Sequence, residues 1–240
     1  EYLVGQTIST LDINREGLRF PFPTDLKSVE GNQVLNVGRR AKYILIELEN
    51  NLTLLVHLGM TGRFKLREGG IETEKHDHLV FHFENGSTAT YTDPRRFGII
   101  DLIREDRIHP LLAKLGPEPL SSDWNRAVLL DSLGNRKSPI KSVLMNQQVV
   151  VGIGNIYASE ILFRAGVSPN RKATNVSLKM AESIHESTIK VLNEAILAGG
   201  STLQDGQFLD VEGKFGYFSH EFSVYGRDGK KCKNNSCRNI

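Results

Sequence analysis

This sequence of 240 residues has few cysteines, no long apolar run and no large excess of one charge. It has two cysteines, too few for the disulfide framework of a small secreted domain, and a chain of this length buries a sufficient core without one. No apolar run approaches the roughly 20 residues of a membrane-spanning helix. Residues 1–5 show no basic segment followed by an apolar one, so no signal peptide is indicated. The sequence therefore predicts a protein of the reducing cytoplasm with no membrane anchor.

The charges nearly cancel, because 30 Lys and Arg residues face 28 Asp and Glu residues for a formal charge of +2. Net charge alone therefore does not indicate nucleic acid as a partner. Basic residues nevertheless collect after residue 226, where five Lys or Arg residues accompany one Asp. Such a tail is most simply a solvated terminus, and composition does not exclude that interpretation.

The first half of the chain has the patterning of β-strands. Residues 43–48 and 52–56 are β-rich runs joined by a short polar turn, and 78–83 is joined to 87–91 by a turn that contains Asn-Gly, a strong hairpin signal. A further strand is expected over 97–103. Short strands at this spacing predict an antiparallel sandwich or barrel.

The second half is predicted to be helical. Two prolines and a glycine within 115–119 interrupt any regular element and mark the predicted domain boundary. Apolar residues then recur at three- and four-residue steps over 177–198, which predicts one amphipathic helix. Strand signals return only at 221–225, which suggests a small C-terminal hairpin. Shorter helices are expected at about 123–133, 139–146 and 155–165.

Two short motifs are suited to inserting side chains between stacked bases. In His57-Leu58-Gly59-Met60-Thr61-Gly62, a methionine lies at a turn between two glycines that allow close backbone approach. In Asp93-Pro94-Arg95-Arg96-Phe97-Gly98, two guanidinium groups precede an aromatic ring on a loop. Each motif also has a simpler explanation: Met60 in the core at a tight turn, and Phe97 as the anchor of a surface turn.

Two other motifs are suited to phosphate. Lys42 ends a cationic run before a strand and could contact a phosphate or protonate a leaving oxygen, although most cations at strand ends are simply solvated. Gly152-Ile153-Gly154 precedes a helix for which Asn155 is the predicted N-cap, and backbone amides at such a start can bind an anion. The third glycine of a dinucleotide-binding site is missing. Arg136 and Lys141, shortly upstream, could add phosphate contacts.

Histidine and cysteine pairs raise the question of a metal. His76 and His78 lie on one face of a predicted strand, but no third ligand has a suitable spacing, so structural or phosphate-binding histidines are favoured over zinc. Cys232 and Cys237 have the spacing of one half of a zinc site. Two ligands do not complete a site, so free thiols are the alternative for these cysteines.

Seven motifs, distributed over nearly the whole chain, together resemble one family. In chain order they are Arg39-Arg40-Ala41-Lys42-Tyr43, His57-Leu58-Gly59-Met60-Thr61-Gly62, Lys75-His76-Asp77-His78, Tyr91-Thr92-Asp93-Pro94-Arg95-Arg96-Phe97-Gly98, Leu115-Gly116-Pro117-Glu118-Pro119-Leu120, Gly152-Ile153-Gly154-Asn155-Ile156-Tyr157-Ala158-Ser159-Glu160 and Val224-Tyr225-Gly226-Arg227. The family they resemble is bacterial formamidopyrimidine-DNA glycosylase. The resemblance implies a bifunctional DNA repair enzyme, a glycosylase and AP lyase. Such an enzyme removes oxidised purines, chiefly 8-oxoguanine and formamidopyrimidines, from duplex DNA by Schiff-base chemistry and β- then δ-elimination.

The fold that the resemblance implies is of the α+β class. It has an antiparallel β-sandwich over 1–115, a helix-two-turn-helix domain over 116–218 and a zinc-finger hairpin over 219–240, of which this chain holds a part. Duplex DNA is expected in the cleft between the first two. A clamp on DNA has no need of a dimer, so a monomer is expected, in the bacterial cytoplasm and associated with the nucleoid.

The resemblance also implies roles for individual residues. Lys42 matches the family's lysine that contacts the lesion phosphates and supplies a proton during β-elimination. Six residues match contacts to the DNA backbone: His57, His76, Arg95, Arg136, Lys141 and Asn155. Three match the side chains that fill the gap left by the everted nucleotide: Met60, Arg95 and Phe97. Two lie in a match to the loop that closes over the extruded purine: Lys214 and Tyr217. Two match half of the four cysteines that bind one zinc ion: Cys232 and Cys237.

The sequence departs from the family pattern at two places. The family's nucleophile is the amino group of an N-terminal proline, followed by a glutamate that acts as the acid, and none of these 240 residues matches either role. The 240 residues by themselves are therefore expected not to catalyse excision. The cysteine pair has a four-residue spacer, longer than the two residues of many members, and no second pair is present, so zinc is expected only in a complete finger.

Two alternatives to a purine-repair enzyme stay open. A non-catalytic protein could keep the DNA-binding residues and bind damaged DNA without cutting it. An endonuclease VIII-like glycosylase would act on oxidised pyrimidines instead. The match to the lesion-capping loop over 212–218, whose two glycines give a lid its backbone freedom, favours the purine branch.

Overall fold

The computed structural model describes residues 2–69, 73–104, 108–134, 136–202, 213–234 and 237. These residues form two compact units. The first unit consists of the described residues up to Ala113 and of residues 213–215. The second unit consists of the described residues from Lys114 to 202 and of those from Gly216 onward. Within the described ranges, no helix has both the length and the apolar character to cross a membrane.

The first unit is a sandwich of two four-stranded antiparallel sheets, which confirms the predicted fold class. In one sheet the strands lie in the order β1 (Ile8–Ile13), β6 (Asp77–Phe83), β7 (Ser87–Thr92) and β5 (Arg63–Glu68). In the other sheet the order is β2 (Val34–Arg40), β3 (Tyr43–Leu48), β4 (Leu52–His57) and β8 (Ile99–Arg104). Both sheets contribute to one core, in which Leu11, Leu54 and Tyr91 are almost fully buried. A short helix, α1 (Pro110–Ala113), ends the unit's main segment.

Two hairpins turn where the sequence supplies turn residues. Asn50 and Asn51 both have φ of 57°, the left-handed pair of a type I′ turn, which asparagine tolerates better than most side chains and which matches the twist of β3 and β4. Gly86, with φ of 82°, closes the hairpin of β6 and β7. The register of the first hairpin places Tyr43 opposite His57 at one end of the second sheet.

The second unit is helical. Its helices are α2 (Arg126–Leu133), α3 (Ile140–Leu144), α4 (Asn155–Arg164) and α5 (Leu178–Leu197). The Ser177 side chain caps α5 by accepting a hydrogen bond from the Met180 amide. Apolar side chains three and four residues apart on α5, among them Ala181, Ile184 and Val191, pack into the core of the unit. The helix predicted over 177–198 is thereby confirmed.

The prediction of a strand over 221–225 is wrong. Phe218–Glu221 is a short 3₁₀ helix, and the residues after it pair with no strand among those that the structure describes. The backbone amides that a hairpin would pair are bound instead by the fully buried carboxylate of Glu160 on α4. This carboxylate accepts hydrogen bonds of 2.8–3.0 Å from three consecutive amides, those of Ser223, Val224 and Tyr225. A side chain therefore replaces the partner strand.

Candidate nucleic-acid interface

The three side chains predicted to fill a gap in DNA, called here the wedge residues, are Met60, Arg95 and Phe97. Met60 is 47% exposed and Phe97 is 45% exposed, so Met60 is not a core residue and Phe97 is not buried as the anchor of a turn would be. The guanidinium carbon of Arg95 lies 4.7 Å from the centre of the Phe97 ring, a cation–π contact that orients both side chains. Exposed apolar side chains beside a cation form a surface that can enter a base stack.

Glycine allows the two loops that carry the wedge residues to touch. Gly59 has φ of 62°, and a Cβ atom there would lie 2.6 Å from the carbonyl carbon of Phe97 and 2.8 Å from its oxygen. Such distances leave no room for a side chain. The loop of residues 58–62, between β4 and β5, therefore packs backbone to backbone on the loop of residues 93–98, between β7 and β8. This contact brings the loop that carries Met60 against the loop that carries Arg95 and Phe97.

Lys42 and His57 lie at neighbouring strand ends of the second sheet. Lys42 directly precedes Tyr43, whose ring centre lies 5.1 Å from that of His57. Although Lys42 as a whole residue is exposed, burial of its ammonium group by the surrounding protein lowers the pKa of the side chain from 10.5. A lower pKa makes this ammonium group a better proton donor near neutral pH.

His57 is held as a neutral imidazole that can donate a hydrogen bond. Its Nδ1 accepts a hydrogen bond of 3.0 Å from the backbone N–H of Gly59, which places the proton of the neutral ring on Nε2. Burial, followed by the positive charges of Lys42 and Arg19, lowers the pKa of His57 from 6.5. The ring therefore offers an N–H donor to an anion without adding charge to a region that is already cationic.

Arg19 is a candidate site residue that the sequence analysis missed. It is exposed on a tight turn, in which a Cβ atom on Gly17 would lie 2.6 Å from the oxygen of Phe20. The guanidinium carbon of Arg19 lies 5.7 Å from the centre of the Phe20 ring, and Phe20 is 53% exposed. The positive charge of Arg19 helps to lower the pKa of His57. Arg19 therefore belongs to the same cationic region as Lys42. The available signal in the sequence was an Arg-Phe pair next to a proline. The motif that contains Phe97 has the same three residue types.

The two histidines of the predicted strand have different environments. His78 is 4% exposed, and its Nε2 lies 2.8 Å from the carbonyl oxygen of Asp93, so it supports the loop that carries Arg95 and Phe97. His76 is half-buried, and its carbonyl oxygen accepts a hydrogen bond from the Asp93 amide. Within the described ranges, no three His, Cys, Asp or Glu side chains are grouped so as to hold a metal ion.

Asn155 is not the N-cap of α4, contrary to the prediction. The N-cap is Gly154, in an extended conformation, and Asn155 is the first residue inside the helix. Gly154 has no side chain that could make a capping hydrogen bond. Gly152, with φ of 79°, turns the chain before the helix in a conformation that other residues rarely adopt. The exposed Asn155 amide is therefore not used in capping and is placed where it can bind a ligand.

A cavity of about 550 Å³ in the second unit brings four predicted site residues together: Lys141, Asn155, Cys232 and Cys237. The two cysteines are half-buried and form no disulfide with each other. The Sγ of Cys232 accepts a hydrogen bond of 3.4 Å from the Asn234 amide. The cationic and thiol groups that the sequence singled out in this unit thus share one concave surface.

Arg136, Lys214 and Tyr217 are exposed. The Nε of Arg136 donates a hydrogen bond of 2.8 Å to the carbonyl oxygen of Ser132 at the end of α2. The backbone N–H of Tyr217 donates to the carbonyl oxygen of Ala198, which fixes its backbone to the end of α5. The first residue of the predicted capping loop over 212–218 lies outside the described residues.

Comparison with known proteins covers both units. The family model of the formamidopyrimidine-DNA glycosylase N-terminal domain matches residues 1–100. The family model of the formamidopyrimidine-DNA glycosylase H2TH domain matches residues 115–207. The formamidopyrimidine-DNA glycosylase of Ruegeria sp. (strain TM1040) is 44% identical over 244 residues, which cover 97% of this chain and 86% of that protein. The one of Rhodospirillum rubrum is 45% identical and covers 98% of this chain and 85% of that protein.

Solved structures show the same likeness. The MutM (Fpg) protein from Thermus thermophilus aligns with a TM-score of 0.88 at 36% identity, over 99% of this chain and 86% of that one. The Lactococcus lactis Fpg in complex with DNA that contains an abasic site aligns with a TM-score of 0.89 at 31% identity, over 98% of this chain and 87% of that one. Because the domain matches, the relatives and the folds all point to one family, this chain belongs to the formamidopyrimidine-DNA glycosylase family.

Proposed function

We propose that the protein containing these 240 residues removes oxidised purines, 8-oxoguanine and formamidopyrimidines, from duplex DNA and then cuts the strand as an AP lyase. The 240 residues by themselves, none of which matches the family's nucleophile or acid, are proposed to bind the damaged duplex without excision. The observation that carries the proposal is the exposed contact of Arg95 with Phe97, with Met60 on the adjoining loop. Similar proteins support damaged DNA as the ligand, since Lactococcus lactis Fpg has been crystallised with DNA that contains an abasic site and, as a mutant, with DNA that contains Fapy-dG.

The wedge residues address the main physical obstacle to excision. The glycosidic carbon of a damaged nucleotide cannot be reached inside a stacked duplex, and extruding the nucleotide costs a few kcal/mol of stacking and pairing. Apolar side chains inserted into the gap offset part of this cost, because they restore contacts with the neighbouring bases. Met60 and Phe97 supply the apolar surface, and Arg95 supplies a cation and hydrogen-bond donors.

Both units supply groups suited to DNA phosphates. The proposed contacts are made by His57, His76, Arg95, Arg136, Lys141 and Asn155, with Lys42 beside the lesion. Lys42 is proposed to transfer a proton during β-elimination, for which its lowered pKa is favourable. Lys214 and Tyr217 are proposed to close over the extruded purine. The partner is then double-stranded DNA, bound by a monomer.

One zinc ion is part of the proposal. Cys232 and Cys237 would supply two of its thiolate ligands, and the hydrogen bond from the Asn234 amide to Cys232 Sγ suits a thiolate. Both thiols are half-buried and line the same cavity, as ligands of one ion require. When bound, the metal stabilises the fold of the segment that holds it. Two thiolates are half of a tetrahedral set, so the remaining ligands must come from other residues.

Borohydride trapping tests the proposed function. Borohydride reduces the Schiff base between an enzyme amine and the opened sugar, so a repair enzyme becomes covalently attached to its DNA. The protein expressed from its complete reading frame is expected to form this adduct on a duplex with 8-oxoguanine and much less on a duplex with an oxidised pyrimidine. The 240-residue chain serves as the matched comparison. Binding without an adduct on either duplex would establish a non-catalytic binder, and preference for the pyrimidine would establish an endonuclease VIII-like enzyme.

A further inference from the structure

One buried carboxylate joins the two loops that carry the wedge residues. Asp93 is 0% exposed and begins the second of these loops. Its Oδ1 accepts a hydrogen bond of 2.5 Å from the hydroxyl of Thr61, which follows the wedge methionine. Its Oδ2 accepts a hydrogen bond of 2.9 Å from the amide of Gly98, which follows the wedge phenylalanine. The two oxygens of Asp93 therefore hold one loop to the other and also hold the second loop closed.

The hydroxyl of Thr61 makes a second bond that reaches the wedge directly. While it donates to Asp93, its Oγ1 accepts a hydrogen bond of 3.2 Å from the backbone N–H of Arg95. A hydroxyl has one donor and two acceptor positions, so both bonds can form together. The carbonyl oxygen of Asp93 also accepts a hydrogen bond from the Arg96 amide and lies 2.8 Å from Nε2 of His78. Hydrogen bonds thus fix the backbone on both sides of the wedge arginine.

Burial makes this network strong and costly to break. A buried carboxylate is stable only when it is paired or hydrogen-bonded, and no ion pair to Asp93 occurs among the described residues. The hydrogen bonds from Thr61 and Gly98, with a longer one of 3.5 Å from the Tyr91 hydroxyl, therefore provide the compensation. Charge-assisted hydrogen bonds of this kind are about twice as strong as neutral ones. Loss of the Thr61 hydroxyl would leave Oδ1 of Asp93 without its partner, whereas Oδ2 accepts from both the Gly98 amide and the Tyr91 hydroxyl.

We propose that Thr61 and Asp93 are positioning residues that hold the three wedge residues in one arrangement before DNA binds. The proposal rests on the proposed function, because it assigns these residues to the insertion step. A side chain that is already ordered loses less conformational freedom when it inserts. Without the hydrogen bonds, the two loops would separate more easily, and the methionine and phenylalanine would enter the gap as independent groups.

Thr61→Val tests the proposal, because it removes the hydroxyl and keeps the shape of the side chain. Thr61 is half-buried at the edge of the network, so this variant should fold where a change of Asp93 could unfold the loop. A 2-aminopurine placed beside an abasic-site analogue reports unstacking through a rise in fluorescence, and this measurement needs binding but no catalysis. The variant is expected to bind the damaged duplex about tenfold more weakly and to lose most of the fluorescence rise. Binding to undamaged duplex should change by less than about twofold, and Thr61→Ser should restore both signals.

A matched control exists on β7 in the same unit. Thr88 is 3% exposed, and its hydroxyl has no hydrogen-bond partner among the described residues. Thr88→Val therefore removes a hydroxyl of the same kind from the same sandwich without breaking a hydrogen bond. Its DNA affinity and fluorescence signal are expected to equal those of the wild type.

A double-mutant cycle with Phe97→Ala separates positioning from general stability. If Thr61 acts through the wedge, Thr61→Val should change binding by less than about twofold once Phe97 has been removed. Independent, additive losses would overturn the proposal, and so would a Thr61→Val variant that matches the wild type. A wild-type chain that binds damaged and undamaged duplexes equally would contradict the proposed function itself, and the positioning role would fail with it.

Discussion

A single hydrogen bond determines which nitrogen of His57 carries the proton. Because Nδ1 accepts from the Gly59 amide, protonation of the ring would place two N–H groups against each other. Burial and the charges of Lys42 and Arg19 act in the same direction and lower the pKa of the ring. The same arrangement that presents Nε2–H to an anion therefore makes the folded protein sensitive to acid.

The pH dependence of stability tests this account of His57. Its pKa in the folded protein lies below 6.5, its ordinary value. Between these two values the unfolded chain binds the proton and the folded chain does not, so stability rises with pH. The contribution is complete above 6.5 and is lost as pH falls through the folded-state pKa. Urea unfolding at about pH 7.5 and about pH 5 should show a smaller loss of stability on acidification for His57→Gln than for the wild type. Equal losses in the two proteins would mean that His57 does not titrate in this way.

Helix α4 is the element that organises the second unit around its site. Its first residue, Asn155, is exposed at the cavity, while Glu160 lies one and a half turns later and is fully buried. The Glu160 carboxylate binds three consecutive backbone amides beyond Phe222. The helix therefore fixes the segment that leads to Cys232, which pairs with no strand among the described residues.

Replacing Glu160 by glutamine should loosen this segment. A glutamine has one carbonyl oxygen, and its NH₂ group would face a backbone N–H, so at least one buried donor loses its partner. The expected decrease in the free energy of unfolding is about 2–3 kcal/mol, with faster amide hydrogen exchange at 223–225. Glu182→Gln is the control, because Glu182 forms an exposed ion pair with Arg126 and should change stability by less than about 0.5 kcal/mol. Similar effects of the two substitutions would show that the three amides do not depend on the Glu160 carboxylate.

Elements with local signals could be predicted from the sequence, and elements without them could not. The hairpins follow from asparagine and glycine at the turns, and α5 follows from apolar residues three and four positions apart. Strand β1 lacks clear alternation, because a bulge between Ile8 and Thr10 shifts its register. Strand β5 lies at a sheet edge and carries three cations, a composition that is typical of a polar loop.

The same limit applies to the candidate site. Met60 and Phe97 were predictable because each lies in a short motif of unusual composition. The bond between Thr61 and Asp93 joins residues 32 positions apart, and Glu160 binds amides 63–65 positions later. Tertiary hydrogen bonds of this separation have no periodic signature in one sequence. Such contacts also explain why the strand predicted over 221–225 does not form.

Over the whole molecule, charge is distributed so that a nearly neutral chain can still bind a polyanion. The net charge is +2, yet the first unit gathers Arg19, Lys42 and Arg95 near one set of loops, and the second carries Lys141 at its cavity. Affinity for DNA depends on the cations that displace counterions from phosphates, and net charge contributes little at physiological salt. The number of such cations can be read from the salt dependence of binding.

Arg19 is expected to be one of these cations, although no sequence motif indicated it. Each phosphate contact contributes about 0.9 to the slope of log K against log salt concentration on duplex DNA. Arg19→Gln should therefore lower the slope by about 0.9 and weaken binding to damaged and undamaged duplexes by the same factor. Arg15→Gln is the matched control, since Arg15 is exposed on the same segment but its charge is not among those that act on His57. A slope for Arg19→Gln equal to that of Arg15→Gln would place Arg19 outside the DNA contact, because a cation that displaces no counterion leaves the salt dependence unchanged.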